Sequence, residues 1–62
     1  MVKYREILRL IAMGVSQESV AFSCGCAQST VSDVIRAARA RGLSWPLPEE
    51  MDDAAIRSVI YP

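Results

Sequence analysis

Five hydrogen-bonding side chains, Gln28, Ser29, Ser32, Asp33 and Arg36, recur at spacings that an α-helix turns to a single side. These types suit base edges in a nucleic-acid groove. Glutamine can bond adenine with two contacts, arginine can do the same to guanine, and a carboxylate accepts from the amino group of cytosine. Gln28, in the first helical turn, is the strongest candidate for an adenine contact, and Arg36 suits guanine or a phosphate. A second set, Ser16, Gln17, Thr30, Arg39, Lys3 and Arg5, suits phosphate oxygens, as does Ser29. Ser16 and Gln17 open a helix, where free amides and the helix dipole favour anions. Lys3 and Arg5 read either as an arm on the phosphate backbone or as solvated surface. Asp33 is out of keeping with the rest, because a carboxylate beside DNA repels phosphates. It must accept from a cytosine amino group or pair with Arg36 three residues on, and the intrahelical pair is the preferred reading. Arg39 and Arg41 also suit a helix C-terminus as cations.

Other chemistries find little support. Histidine is absent, and the two cysteines, Cys24 and Cys26, stand two residues apart. A zinc site therefore lacks ligands, and a disulfide between the two would be strained inside a turn. Both are read as buried small hydrophobes in a reducing cytoplasm. A chain of 62 residues makes one domain of marginal core with no room for an enzyme cleft, and it carries no catalytic constellation. No cofactor is expected. No apolar run approaches the ~20 residues that cross a bilayer, and no signal peptide is evident, so no membrane partner is expected.

The charges balance in number but not in position. Seven basic residues match seven acidic ones, yet Lys3, Arg5, Arg9, Arg36, Arg39 and Arg41 face only Glu6, Glu18 and Asp33 in residues 1–42. The remainder reverses this, with Arg57 against Glu49, Glu50, Asp52 and Asp53. The reading is a basic front for phosphates and an acidic tail held away from them. With the whole near neutrality, binding by this chain alone is expected to be weak and strongly salt-sensitive.

Positioning the outward side chains requires a helix-turn-helix within residues 17–36. Val20, Cys24, Cys26, Val31 and Val34 are the apolar positions that two crossing helices bury, and small Ala21 marks their closest approach. Gly25 supplies the turn, since a residue just past a helix end often takes positive φ. The second of these helices would lie in a major groove with its N-terminal residues towards base edges. The bland alternative is that any small three-helix core shows this periodicity.

The full expectation is all-α: a three-helix helix-turn-helix bundle over residues 1–42, an extended Pro-rich strap over 43–51, and a short fourth helix over 52–62. The first helix spans about residues 3–13, with a Tyr4, Ile7, Leu8, Ile11 stripe and Gly14 at its end. The second spans 17–24, capped by Ser16, with Val15 stapled to Val20. The third spans 28–41, closed by Gly42 with Leu43 folding back. Its N-cap is Ala27, which lacks the usual hydroxyl: a modest defect, or amides left free for a phosphate. Pro46 and Pro48 forbid helix in the strap, and Trp45 and Leu47 are expected on the core. Asp52 caps the fourth helix, with Met51 stapled to Ile56 and with Ile56, Val59 and Ile60 on one side. Tyr61-Pro62 shows no clear terminal cap, which reads as a cut from a longer protein.

From Tyr4 to Ile56 the order of residues resembles the N-terminal end of IstA-type insertion-sequence transposases. The most discriminating part is the Gly-Leu-Ser-Trp-Pro-Leu-Pro run at residues 42–48, followed by the acidic Asp-Asp-Ala-Ala helix start at 52–55. The resemblance implies a module that binds double-stranded DNA at terminal inverted repeats, in a longer protein with a downstream metal-dependent DDE core that these residues lack. It also implies a homo-oligomer on paired DNA ends and an AAA+ ATPase helper. The sequence departs from that pattern at Cys24 and Cys26, where aliphatic residues are usual, at Ala27, where a hydroxyl cap is usual, and at Asp33. Two rival readings stay open. One is the DNA-binding domain of a transcriptional regulator; the other is a protein-interaction bundle using Trp45, Leu47 and the fourth helix as a dimer face.

Overall fold

The computed structural model describes residues 2–61, and within them four helices account for all the regular structure. These are α1 (Tyr4–Ala12), α2 (Gln17–Cys24), α3 (Gln28–Ala40) and α4 (Asp53–Ile60). Each begins and ends where its flanking chemistry requires. Ser16 sits in extended backbone ahead of α2 and its hydroxyl accepts from the Ser19 amide at 3.3 Å. Asp52 caps α4 in the same way, accepting from the Ala55 amide at 2.9 Å. Ala27 precedes α3 with no side-chain cap, as its methyl dictates.

The turn between α2 and α3 is closed by Gly25, whose φ of 66° lies in the left-handed region that a side chain resists. The Cys26 amide donates to the Ala21 carbonyl at 3.0 Å and the Gly25 amide to the Phe22 carbonyl at 3.3 Å. This pair of bonds is a Schellman ending. Gly14 and Gly42 end α1 and α3 with the equivalent bonds, from Val15 to Leu10 and from Leu43 to Ala38.

One core holds all four helices. Tyr4, Ile7 and Leu8 come from α1, Val20 and Ala21 from α2, Val31, Val34, Ile35 and Ala38 from α3, and Ile56 and Ile60 from α4. Buried Ala21 at the α2–α3 contact lets the two backbones come close. Cys24 and Cys26 are half-buried free thiols at the margin of this core, which corrects the expectation of full burial. Burial pushes the Cys24 thiol up from its ordinary value, and the neighbouring Cys26 adds to the effect.

The segment between α3 and α4 alternates. Leu43, Trp45 and Leu47 are half-buried against the core while Ser44, Pro46 and Pro48 are exposed. Its Trp45–Pro46 peptide is cis, and a turn at residues 49–50 interrupts the extended strap expected over residues 43–51. Fully buried Ile56 makes α4 part of the same core as the first three helices. Val59, expected on the inward side with Ile56 and Ile60, is exposed instead. At about 100° per residue it stands too far round the helix from the Ile56–Ile60 line to reach the core. No helix among the described residues is long and apolar enough to cross a membrane.

Candidate nucleic-acid interface

Buried Val31, Val34, Ile35 and Ala38 fix the rotation of α3, and the opposite side follows from helical geometry. Ser29, Asp33 and Arg36 recur at four and three residues along that opposite side, and all three are exposed. Gln28 and Arg39 are exposed on one flank, and Ser32, placed between Arg39 and Arg36 around the helix, is half-buried. Of the five residues read from sequence as base-facing, Ser29, Asp33 and Arg36 therefore lie opposite the buried side, while Gln28 and Ser32 lie on its flank.

The flank of α3 nearest α2 forms a shallow hollow lined by Gln17, Ser32, Ile35, Arg36 and Arg39. The Gln17 amide of α2 thus meets the Ser32 hydroxyl and the Arg36 and Arg39 guanidinium groups of α3. The first turns of α2 and α3 offer unspent donors. The earliest α3 amides bonded within the chain are those of Thr30 and Val31, both to the Ala27 carbonyl, so Gln28 and Ser29 keep free amides among the described residues. Ser16 is exposed at the head of α2 and Thr30 is half-buried in the first turn of α3. Such helix starts, with cations beside them, are where phosphate oxygens bind.

Asp33 and Arg36 approach to 3.9 Å, with Arg36 77% and Asp33 61% exposed. This pair is as the spacing predicts, but at that distance and exposure it holds neither group firmly. Both remain available to a ligand.

Lys3 and Arg5 are elsewhere. They line a second hollow with Glu6, Arg9, Asp52 and Asp53, between the start of α1 and the start of α4. The Arg5 guanidinium, expected to reach phosphates, is instead spent on the chain itself. Nη1 donates to the carbonyls of Pro48 at 2.9 Å and Met51 at 2.8 Å, and Nη2 to that of Leu47 at 3.3 Å. The same group stacks over the Trp45 ring at 5.0 Å. Its backbone amide donates to the Asp53 carboxylate at 2.8 Å. The cause is the segment before α4, whose carbonyls stand outside any helical ladder and accept from Arg5, that of Pro48 also taking the Met51 amide at 3.0 Å. Arg9 is likewise engaged, by Glu6 one turn earlier. The acidic segment is consequently folded on to α1 beside its cations.

Comparison with known proteins gives one informative match. Over 58 residues the chain is 33% identical to a protein of Sinorhizobium fredii (strain NBRC 101917 / NGR234) whose name is "Putative transposase y4uI". The chain is similar to part of a transposase-named protein. The match takes in 92% of this chain but only 11% of that relative's length. No family model matches the chain, and no solved structure matches it.

Two features escaped the sequence reading. The Arg5–Asp53 contact joins residues 48 positions apart, and no local pattern announces such a pairing. Phe22 is 90% exposed on α2, opposite the side that carries Val20, Ala21 and Cys24. Placing α2 on a helical wheel with those three inward would have found it.

Proposed function

We propose that this chain is the DNA-binding module of a transposase, in which α2 and α3 act as a helix-turn-helix and α3 enters the major groove of element-end DNA. The observation that carries this reading is the convergence of Gln17 at the start of α2 with Ser32, Arg36 and Arg39 of α3 in one hollow. Phosphates would sit on the free amides of α2 and α3, with Ser16, Gln17, Thr30 and Arg39 around them. Gln28, Ser29, Ser32, Asp33 and Arg36 would face base edges. The similarity to a transposase-named protein supports the same assignment.

The module itself supplies recognition and no catalysis; the catalytic portion, the homo-oligomeric assembly on paired ends and the AAA+ helper belong to the longer protein. A regulator's DNA-binding domain would use the same face on promoter DNA. The interaction-bundle alternative is disfavoured by the packing, because Ile56 and Ile60 are buried and Trp45 and Leu47 half-buried against the core.

Fluorescence anisotropy of a labelled duplex, titrated at two salt concentrations, tests the proposal. Binding is expected at low salt, weakening with a log–log slope of about 0.9 per phosphate contacted. Arg36→Ala should weaken it several-fold with the helical circular-dichroism signal unchanged. Absence of binding at low salt would overturn the reading.

A further inference from the structure

We propose, building on the DNA-binding reading above, that Asp33 selects a cytosine in the target duplex and that Arg36 takes a guanine within one base step of it. The carboxylate lies on the side of α3 opposite Val31, Val34 and Ala38, so docking of that helix drives it towards the floor of the groove. Its one ionic neighbour among the described residues is Arg36, at 3.9 Å with both groups exposed, which leaves the charge effectively unneutralised within the protein.

A carboxylate stripped of water costs free energy unless it meets a donor. In the major groove the donors are the amino groups of cytosine and adenine, while guanine and thymine present acceptors at the corresponding positions. Adenine places its N7 acceptor beside the amino group, where the second carboxylate oxygen would be repelled. Cytosine presents the amino group without that neighbour. Asp33 therefore acts chiefly by refusing three of the four bases.

Arg36 supplies the complement. It lies three residues on, about 4.5 Å along the helix axis, against a base-pair rise of about 3.4 Å. Its planar fork fits the O6 and N7 acceptors of guanine. The weak pairing between the two side chains holds them together in the free protein without committing either.

The test is selection of bound duplexes from a randomised pool by the 62-residue chain at low salt, run in parallel with Asp33→Ala and Asp33→Asn. The unsubstituted chain should fix a cytosine at one position, and another base there should weaken binding about 5- to 150-fold. Asp33→Ala should lose the preference at that position alone, keep the others, and bind unselected duplexes more tightly. Asp33→Asn should move the preference there towards adenine. Retention of the same cytosine by Asp33→Ala, or a pool with no fixed cytosine, would overturn the proposal and leave DNA binding standing. Recovery of no duplex at all would overturn both.

Discussion

The backbone amide of Arg5 donates to the carboxylate of Asp53 at 2.8 Å, so the start of α1 is capped by the first residue of α4. Lys3, at the N-cap of α1, offers no side-chain acceptor, and the orphan amide is satisfied across the fold instead. The Arg5 side chain completes the clasp on the carbonyls of Leu47, Pro48 and Met51. Asp53→Ala should destabilise the chain by about 1–2 kcal/mol, within the range for a lost cap or charge-assisted bond. Arg5→Ala should cost a similar amount, and the double variant less than the sum, since the two side chains hold the same segment. Chemical denaturation of the four chains measures this, and full additivity would show that the two contacts act independently.

Removing residues 43–62 should abolish cooperative unfolding. Ile56 and Ile60 are buried against the other three helices, and each contributes about 1.5–3 kcal/mol of burial in a chain whose stability is marginal. A sharp thermal transition in the 1–42 fragment would show that the three-helix unit is self-sufficient.

How much of this was legible in the sequence depends on the range of the interaction. The bounds of α2, the caps at Ser16 and Asp52, the missing cap at Ala27 and the glycine endings are written in neighbouring residues, and all are observed. So is the outward side of Ser29, Asp33 and Arg36, because Val31 and Val34 fix the helix rotation; Gln28 and Ser32, read as facing the same way, stand on the flank, with Ser32 half-buried. What could not be read is tertiary. Arg5 reads as a phosphate arm or a solvated cation because its partners lie more than forty residues away, and charge counts alone do not place the acidic segment beside α1.

Gly25→Val should destabilise the turn through backbone strain alone. No atom lies within 4 Å of where a Cβ would stand, so the φ of 66° is the whole obstacle, costing about 1–2 kcal/mol and more for a β-branched residue. Gly25→Asn should be tolerated better, since asparagine enters the left-handed region more readily. Thermal melts of the two variants test this; equal loss in both would locate the penalty in packing.

Raising the pH should weaken the fold through Cys24. Its thiol is pushed up from an ordinary value of 9.0 by burial, so the folded state holds that proton more firmly than the unfolded state does. The resulting stability is complete below the unfolded pKa and is lost as pH rises through the folded one. Denaturation near pH 7 and near pH 10 should show a larger fall for the unsubstituted chain than for Cys24→Ala. Parallel falls would mean that other groups carry the pH dependence.

The most direct examination of the central claim is titration of the isotopically labelled chain with an unlabelled duplex at low salt, following amide shifts by NMR. Shifts should concentrate at Ser16 and Gln17 and along Gln28–Arg36, with the buried side of α3 and the Arg5–Asp53 clasp little changed. Perturbation confined to the clasp, residues 43–51 and α4, with the outward side of α3 silent, would contradict it.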